Sequence, residues 1–182
     1  MKKTMLKIKF FGDSALRKKA KPVKKITPEH KEALSQMAGL MYESSGIGLA
    51  AAQVGLEESM FVADIGNGLY KLINPVMVRK EGMQFLEEGC LSIPGICIKM
   101  RRAKKVWIKA LNENDEPQDI EAEGLLACVF QHEMDHLKGK LIVDYASLLD
   151  KFKMARKLKE LKKRAEDEKL SQPETKSCSL QL

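Results

Sequence analysis

Leu125 to Leu137 is apolar enough to form a buried helix, yet its second half holds His132, Glu133, Asp135 and His136. Polar groups in so apolar a segment cost free energy unless partners wait for them, so the fold around this helix must be built to receive them. The pattern is HExxH, written Gln131-His-Glu-Met-Asp-His136. On a helix it sets two imidazoles one turn apart, both able to reach one ion, with Glu133 beside them as a base. Two of the three histidines of the chain lie inside it. A catalytic metal needs three protein ligands and an open position. The extended pattern HExxHxxGxxH would put a histidine at residue 142; Gly139 fits, but the position holds Ile142. No histidine follows His136, which leaves a few downstream Asp and Glu residues. Cys128 lies eight residues before His136, about 12 Å along a helix axis at ~1.5 Å per residue, too far to share an ion. It reads as a small buried hydrophobe. Upstream, Glu87-Glu-Gly-Cys-Leu-Ser-Ile-Pro94 sets Cys90 between turn residues, where a thiolate would complete the site.

With 182 residues the chain can bury a core as one domain without disulfides, and its four cysteines form no CxxC pair. This favours a reducing, cytoplasmic setting for a soluble protein. No run of about 18 apolar residues offers a membrane span, and Lys7 and Lys9 interrupt the apolar start that a signal peptide needs. The net charge of +7 is uneven: residues 1–25 carry +9, residues 26–150 carry −7, and residues 151–164 carry +7. That distribution describes an acidic body with basic ends that could meet a polyanion.

Thr27 as N-cap and Pro28 at N1 start a helix with Leu34, Met37, Ala38 and Met41 on one face, ending near Ser44-Ser45-Gly46. Gly46 to Gln53 follows, its small residues allowing a close backbone approach. Residues 60–65 and 69–73 flank Gly66-Asn67-Gly68 as a hairpin, and residues 75–80 and 83–87 are expected to pair likewise around Glu81-Gly82. Lys104 to Leu111 alternates as a strand with Val106, Ile108 and Ala110 buried. Asn112 to Glu116 turns the chain into a short strand near Ile120. A last helix runs from Ser147 to about Leu170, with Leu148, Phe152, Ala155 and Leu158 as its apolar stripe. The division expected is a catalytic domain over 1–150, a basic helix over 151–170 and a disordered tail over 171–182.

Three segments together carry a family resemblance: Gly46 to Gln53, Glu88 to Ser92, and Gln131 to His136. They match the signatures GφGφAAxQ (φ apolar), EGCLS and QHExDH, in order, and the chain resembles bacterial peptide deformylases from about residue 4 to residue 150, with a basic C-terminal helix like that of Gram-negative members. The resemblance implies an α+β fold, with antiparallel sheets around a central buried helix carrying HExxH, plus a C-terminal helix. It implies that Cys90, His132 and His136 hold one divalent metal, Fe²⁺ above Zn²⁺ or Ni²⁺, with water in the fourth position. Glu133 would then take the proton released on attack at the formyl carbon and return it to the departing amine. Gln53 and the backbone N–H of Leu91 would meet the oxyanion, Ile47 and Gly48 would line the peptide groove, and Ile93, Cys128 and Val129 are candidates for the methionine pocket. The substrate implied is the formylmethionyl nascent peptide, processed by a monomer that docks on the ribosome through residues 151–164. Many relatives carry an arginine near position 97, where this chain has Cys97; Arg101 and Arg102 lie nearby. Two rivals are an endopeptidase, opposed by a cysteine ligand and the missing downstream histidine, and a nucleic-acid-binding protein with a closed four-ligand metal, for which no fourth ligand is evident.

Overall fold

A computed structural model describes residues 5–166; the tail at 171–182 and the last residues expected in the final helix lie outside them. Helix α1 (Pro28–Glu43) starts where the sequence places it. The Thr27 N–H donates to Nδ1 of His30, the histidine outside HExxH, and Leu34, Met37, Ala38 and Met41 are buried. A five-stranded antiparallel sheet has the order β1 (Gly48–Ala50), β2 (Met60–Ala63), β3 (Tyr70–Glu81), β6 (Lys105–Leu111), β7 (Pro117–Glu123). The hairpin around Gly66-Asn67-Gly68 is present, with Met60 opposite Ile73 and Ala63 opposite Tyr70. Along β6, Val106, Ile108 and Ala110 are buried as their alternation requires.

The pairing of 75–80 with 83–87 is not formed. Strand β3 continues to Glu81 and pairs with β6, Val76 facing Lys109 and Glu81 facing Lys105. The segment after Gly82, β4 (Gln84–Glu88), pairs instead with β5 (Ile98–Arg102) as a separate two-stranded sheet. Gly82 turns there with φ 64, but β3 is already paired with β6 from Ile73, opposite Leu111. Held at φ 52 and clamped to the backbone of Val23 by both ends of its amide, Asn74 sits at a register break between Ile73 and Val76. On both sides of that break β3 lies along β6, Ile73 facing Leu111 and Val76 facing Lys109.

Helix α2 (Gly124–His136) is the centre of the molecule. Ala127, Val129, Phe130 and Met134 pack with Ala50, Phe61, Val106, Ile108 and Ala122. The Phe130 ring meets Phe61 at 5.5 Å and Tyr70 edge-on at 5.2 Å, which fixes the rotation of α2 against the sheet. A turn follows at Gly139, where a Cβ would lie 2.4 Å from the Arg17 carbonyl, so only glycine fits.

Helix α3 (Leu148–Glu166) keeps Leu158 of the expected stripe inward but not Leu148, Phe152 or Ala155. Leu161 is buried, and Met154 and Leu158 are half-buried in a cluster with Leu16, Ile93, Ile96 and Ile98. Leu148, Leu149 and Phe152 are exposed, and so is Ala155. Both stripes satisfy a 3.6-residue period; contact with Leu16 selects the second. Among the described residues no helix is long and apolar enough to cross a membrane.

Candidate metal centre

Helix α2 presents His132 and His136 on one face, and the turn after β4 brings up Cys90; all three are buried. Their ligating atoms lie within 4.8 Å of one another. His132 Nε2 and His136 Nε2 are 3.2 Å apart, and Cys90 Sγ is 3.3 Å from His136 Nε2. A tetrahedral site with metal–nitrogen bonds of about 2.0 Å and a metal–sulfur bond of about 2.3 Å has edges of about 3.3 Å and about 3.5 Å. The donor set and its spacing therefore fit a divalent ion.

Protonation agrees. Burial, with His132 adding to it, holds His136 far below the usual histidine range, so it is neutral and offers a lone pair. Burial pushes the Cys90 thiol up to about 12 despite hydrogen bonds from the Ser92 and Ile93 backbone, so ligation must displace a proton. Glu133 is fully buried, and among the described residues neither of its oxygens has a hydrogen-bond partner. Burial first, then the charge of Glu88, raises its pKa well above the carboxylate norm. A nearby cation would favour its ionised form.

The small residues of 46–53 make room for this helix. A Cβ on Gly48 would stand 2.2 Å from Glu133 Oε1, and one on Gly46 would stand 2.7 Å from Leu91 Cδ1. Gln53 is buried in the short 3₁₀ turn Ala51–Val54. Its Oε1 accepts from the Ala50 N–H at 2.8 Å, which aims Nε2 at Ser92 Oγ (3.3 Å) and Cys90 Sγ (3.7 Å). Leu91 adjoins Cys90 with its side chain buried beside Gly46. Ile47 is half-buried, its carbonyl accepting from the Asp64 N–H. Of the pocket candidates, Val129 lies beside Gly48, Cys128 directs its thiol to Glu88 Oε1 at 3.0 Å, and Ile93 is buried in the cluster under α3.

Sequence reasoning missed the carboxylate behind the histidines. Glu88 is wholly buried and accepts from Arg102 Nε and Nη2 at 2.7 and 2.8 Å, while its Oε2 lies 3.0 Å from His132 Nδ1. Burial pushes this carboxyl up, but Arg102 and His132 outweigh it and hold it at about 2. An ionised Glu88 requires the proton of His132 on Nδ1, leaving the Nε2 lone pair facing His136 and Cys90. Arg102 Nη1 also donates to Asp135 Oδ2 at 2.6 Å. Arg102 is thus committed to the protein interior, and Arg101 is exposed on β5. The signal available was that Glu88 and Asp135 lie inside the two motifs; their partner Arg102 lies in neither.

The family model for polypeptide deformylase matches residues 5–152. A peptide deformylase of Desulfitobacterium hafniense is 51% identical over 135 residues, covering 74% of this chain and 90% of that protein. Among solved structures, a peptide deformylase from Legionella pneumophila superposes with a TM-score of 0.83 at 40% identity, covering 88% of this chain and 96% of that one. A Synechococcus elongatus peptide deformylase in complex with actinonin superposes with a TM-score of 0.80 at 39% identity, over 86% of this chain and 90% of that one.

Proposed function

The chain belongs to the polypeptide deformylase family, and from that membership we propose how its residues remove the formyl group from the N-terminus of nascent peptides. The reaction is a metal-dependent hydrolysis. The observation that carries the assignment of roles is the convergence of Cys90, His132 and His136 beside the unpartnered carboxylate of Glu133. Those three residues would hold the ion; the donor set suits Zn²⁺, Fe²⁺ or Ni²⁺, and family resemblance favours Fe²⁺ among them. When bound, the ion lowers the pKa of water from about 15.7 toward 7 and so makes hydroxide available at neutral pH.

Glu133 accepts the proton released as the formyl carbon is attacked and delivers it to the departing amine, its Oε1 lying against Gly48. Gln53 Nε2, fixed through Oε1, and the N–H of Leu91 stabilise negative charge on the formyl oxygen. Because Asp64 occupies the Ile47 carbonyl, the backbone group that Ile47 offers to an extended peptide is its N–H. Gly48 is the second groove residue, and the space its missing side chain leaves is taken by Glu133 Oε1. Turnover of formyl-Met-Ala by anaerobically purified protein, with metal content measured alongside, tests this reading; acetyl-Met-Ala should be hydrolysed hardly at all. Equal rates on both, or cleavage of an internal peptide bond, would overturn it.

The same reading takes residues 1–150 as the catalytic body and has the chain act as a cytoplasmic monomer that docks on the ribosome through residues 151–164, which lie in α3. The arrangement of α3 supports the docking. Lys157 Nζ donates to the Gly95 carbonyl at 2.6 Å, Lys151 Nζ reaches the Asp144 carbonyl, and Lys162 lies over Gly12, so these lysines hold the helix down. Lys153, Arg156, Lys159 and Lys163 recur at steps of three and four residues and are exposed, opposite Met154, Leu158 and Leu161. A single outward row of four cations suits RNA phosphates.

A further inference from the structure

We propose that Tyr145 is a positioning residue for His132, acting through Asp135, Arg102 and Glu88. The proposal rests on the reading of Cys90, His132 and His136 as metal ligands. The Tyr145 hydroxyl donates to Asp135 Oδ2 at 2.9 Å, the same oxygen that accepts from Arg102 Nη1 at 2.6 Å. The other two donors of Arg102 reach both oxygens of Glu88, and Glu88 Oε2 meets His132 Nδ1 at 3.0 Å. A guanidinium is planar and rigid, so fixing Nη1 on Asp135 sets the plane in which Nε and Nη2 bind Glu88. Tyr145 touches this plane twice, through the shared carboxylate and through its ring, whose centroid lies 5.6 Å from Arg102 Cζ. Loss of the hydroxyl leaves Asp135 Oδ2 held by Arg102 Nη1 with one fewer donor, and the slack passes through Arg102 to the carboxylate that sets the tautomer and ring angle of His132.

The position of Tyr145 gives the relay an anchor at each end. Tyr145 closes the 3₁₀ turn Ile142–Tyr145, whose Ile142 and Val143 are buried, and stands two residues before Ser147, whose hydroxyl accepts from the Asp150 N–H at the start of α3. The relay therefore runs from the root of the basic helix, at a tyrosine still 46% exposed, to a buried histidine. Nothing else in the mechanism uses the Tyr145 hydroxyl or Asp135.

The test uses the full chain loaded with Co²⁺, with release into excess chelator and the visible absorption of the bound ion as readouts. Tyr145→Phe, which keeps the ring, should release Co²⁺ about 3- to 10-fold faster, less than the 10–100-fold typical of direct outer-shell partners, and should shift the absorption bands. The denaturation midpoint should stay at the wild-type value. In an Asp135→Asn background the same change should add nothing, because the link is already cut. Tyr42→Phe is the control: it deletes the 2.7 Å bond from Tyr42 to Asp64, which no relay connects to the metal, and should leave release unchanged. Wild-type release and spectrum in Tyr145→Phe, an equal effect in Tyr42→Phe, or an effect that persists in Asp135→Asn would each overturn the proposal. Neither readout needs a formylated substrate, so failure of the catalytic roles would show separately, as absent turnover by a wild type that binds Co²⁺. A wild type that binds no Co²⁺ would overturn the ligand assignment and this proposal together.

Discussion

Replacing Arg102 with methionine should cost about 3–5 kcal/mol of stability at pH 7, because it leaves the charge of Glu88 buried without its cation. The structure supports that size. Glu88 is fully buried, yet its carboxyl is held at about 2 against an ordinary value of 4.5. At ~1.36 kcal/mol per pKa unit, this is about 3 kcal/mol in favour of the charged form, after burial has already opposed it. Methionine is flexible enough to fill much of the vacated space but donates nothing. In the variant the burial contribution stands with only His132 and Cys128 to offset it, so the folded pKa of Glu88 should rise. The sign of the pH dependence follows. In the wild type the folded pKa is below the unfolded one, so the stabilisation is complete above 4.5 and is lost as pH falls toward 2. In the variant the folded pKa lies above the unfolded one, so the penalty is full at neutral pH and is relieved on acidification. The stability gap should therefore narrow between pH 7 and pH 4. Denaturant unfolding of metal-free protein followed by circular dichroism measures it without metal release moving the midpoint. A loss below about 1 kcal/mol at pH 7, the size of an exposed pair, would refute the reasoning. So would a gap that does not change down to pH 4.

Glu133→Ala should retain the metal while turnover falls by about 10²–10⁴-fold, the usual worth of a proton carrier; metal loss matching the activity loss would make Glu133 structural. Because the Cys90 thiol is held near 12 and His136 is neutral, Zn²⁺ uptake should displace one proton. Apparent affinity should then rise about tenfold per pH unit between pH 6 and 8 by chelator competition, and a flat profile would remove the thiolate from the site. Lys153→Glu with Arg156→Glu and Lys159→Glu reverses the outward row of α3 without touching buried Leu161. Ribosome binding should weaken strongly and lose much of its salt dependence while turnover of a short formyl-Met peptide stays within a few-fold; unchanged binding at several salt concentrations would move the docking surface elsewhere.

The features legible in the sequence are those whose cause lies within a turn or a strand. Thr27 and Pro28 cap α1, the Val106-Ile108-Ala110 alternation makes β6, Gly66-Asn67-Gly68 closes a hairpin, and the four-residue step of HExxH sets His132 beside His136. Cys90 lies 46 residues from His136; the need for a third ligand made it a candidate, and its motif's resemblance to a family made it the ligand implied. Tertiary structure decided the rest. Pairing of β3 with β6 rather than of residues 75–80 with 83–87 sets Ile73 against Leu111 and Glu81 against Lys105, partners that no local turn brings together. Whether Leu158 of α3 packs inward with Leu148 and Phe152 or with Met154 and Leu161 turned on where Leu16 lies. Glu88, Arg102 and Asp135 became one network when β4, β5 and α2 met, since residues as hydrophilic as these are usually on the surface. Periodicity and caps encode contacts between near neighbours on one element. A buried ion pair between elements has no periodic signature, because its partners are chosen by distance across the core, which the chain acquires only when it folds.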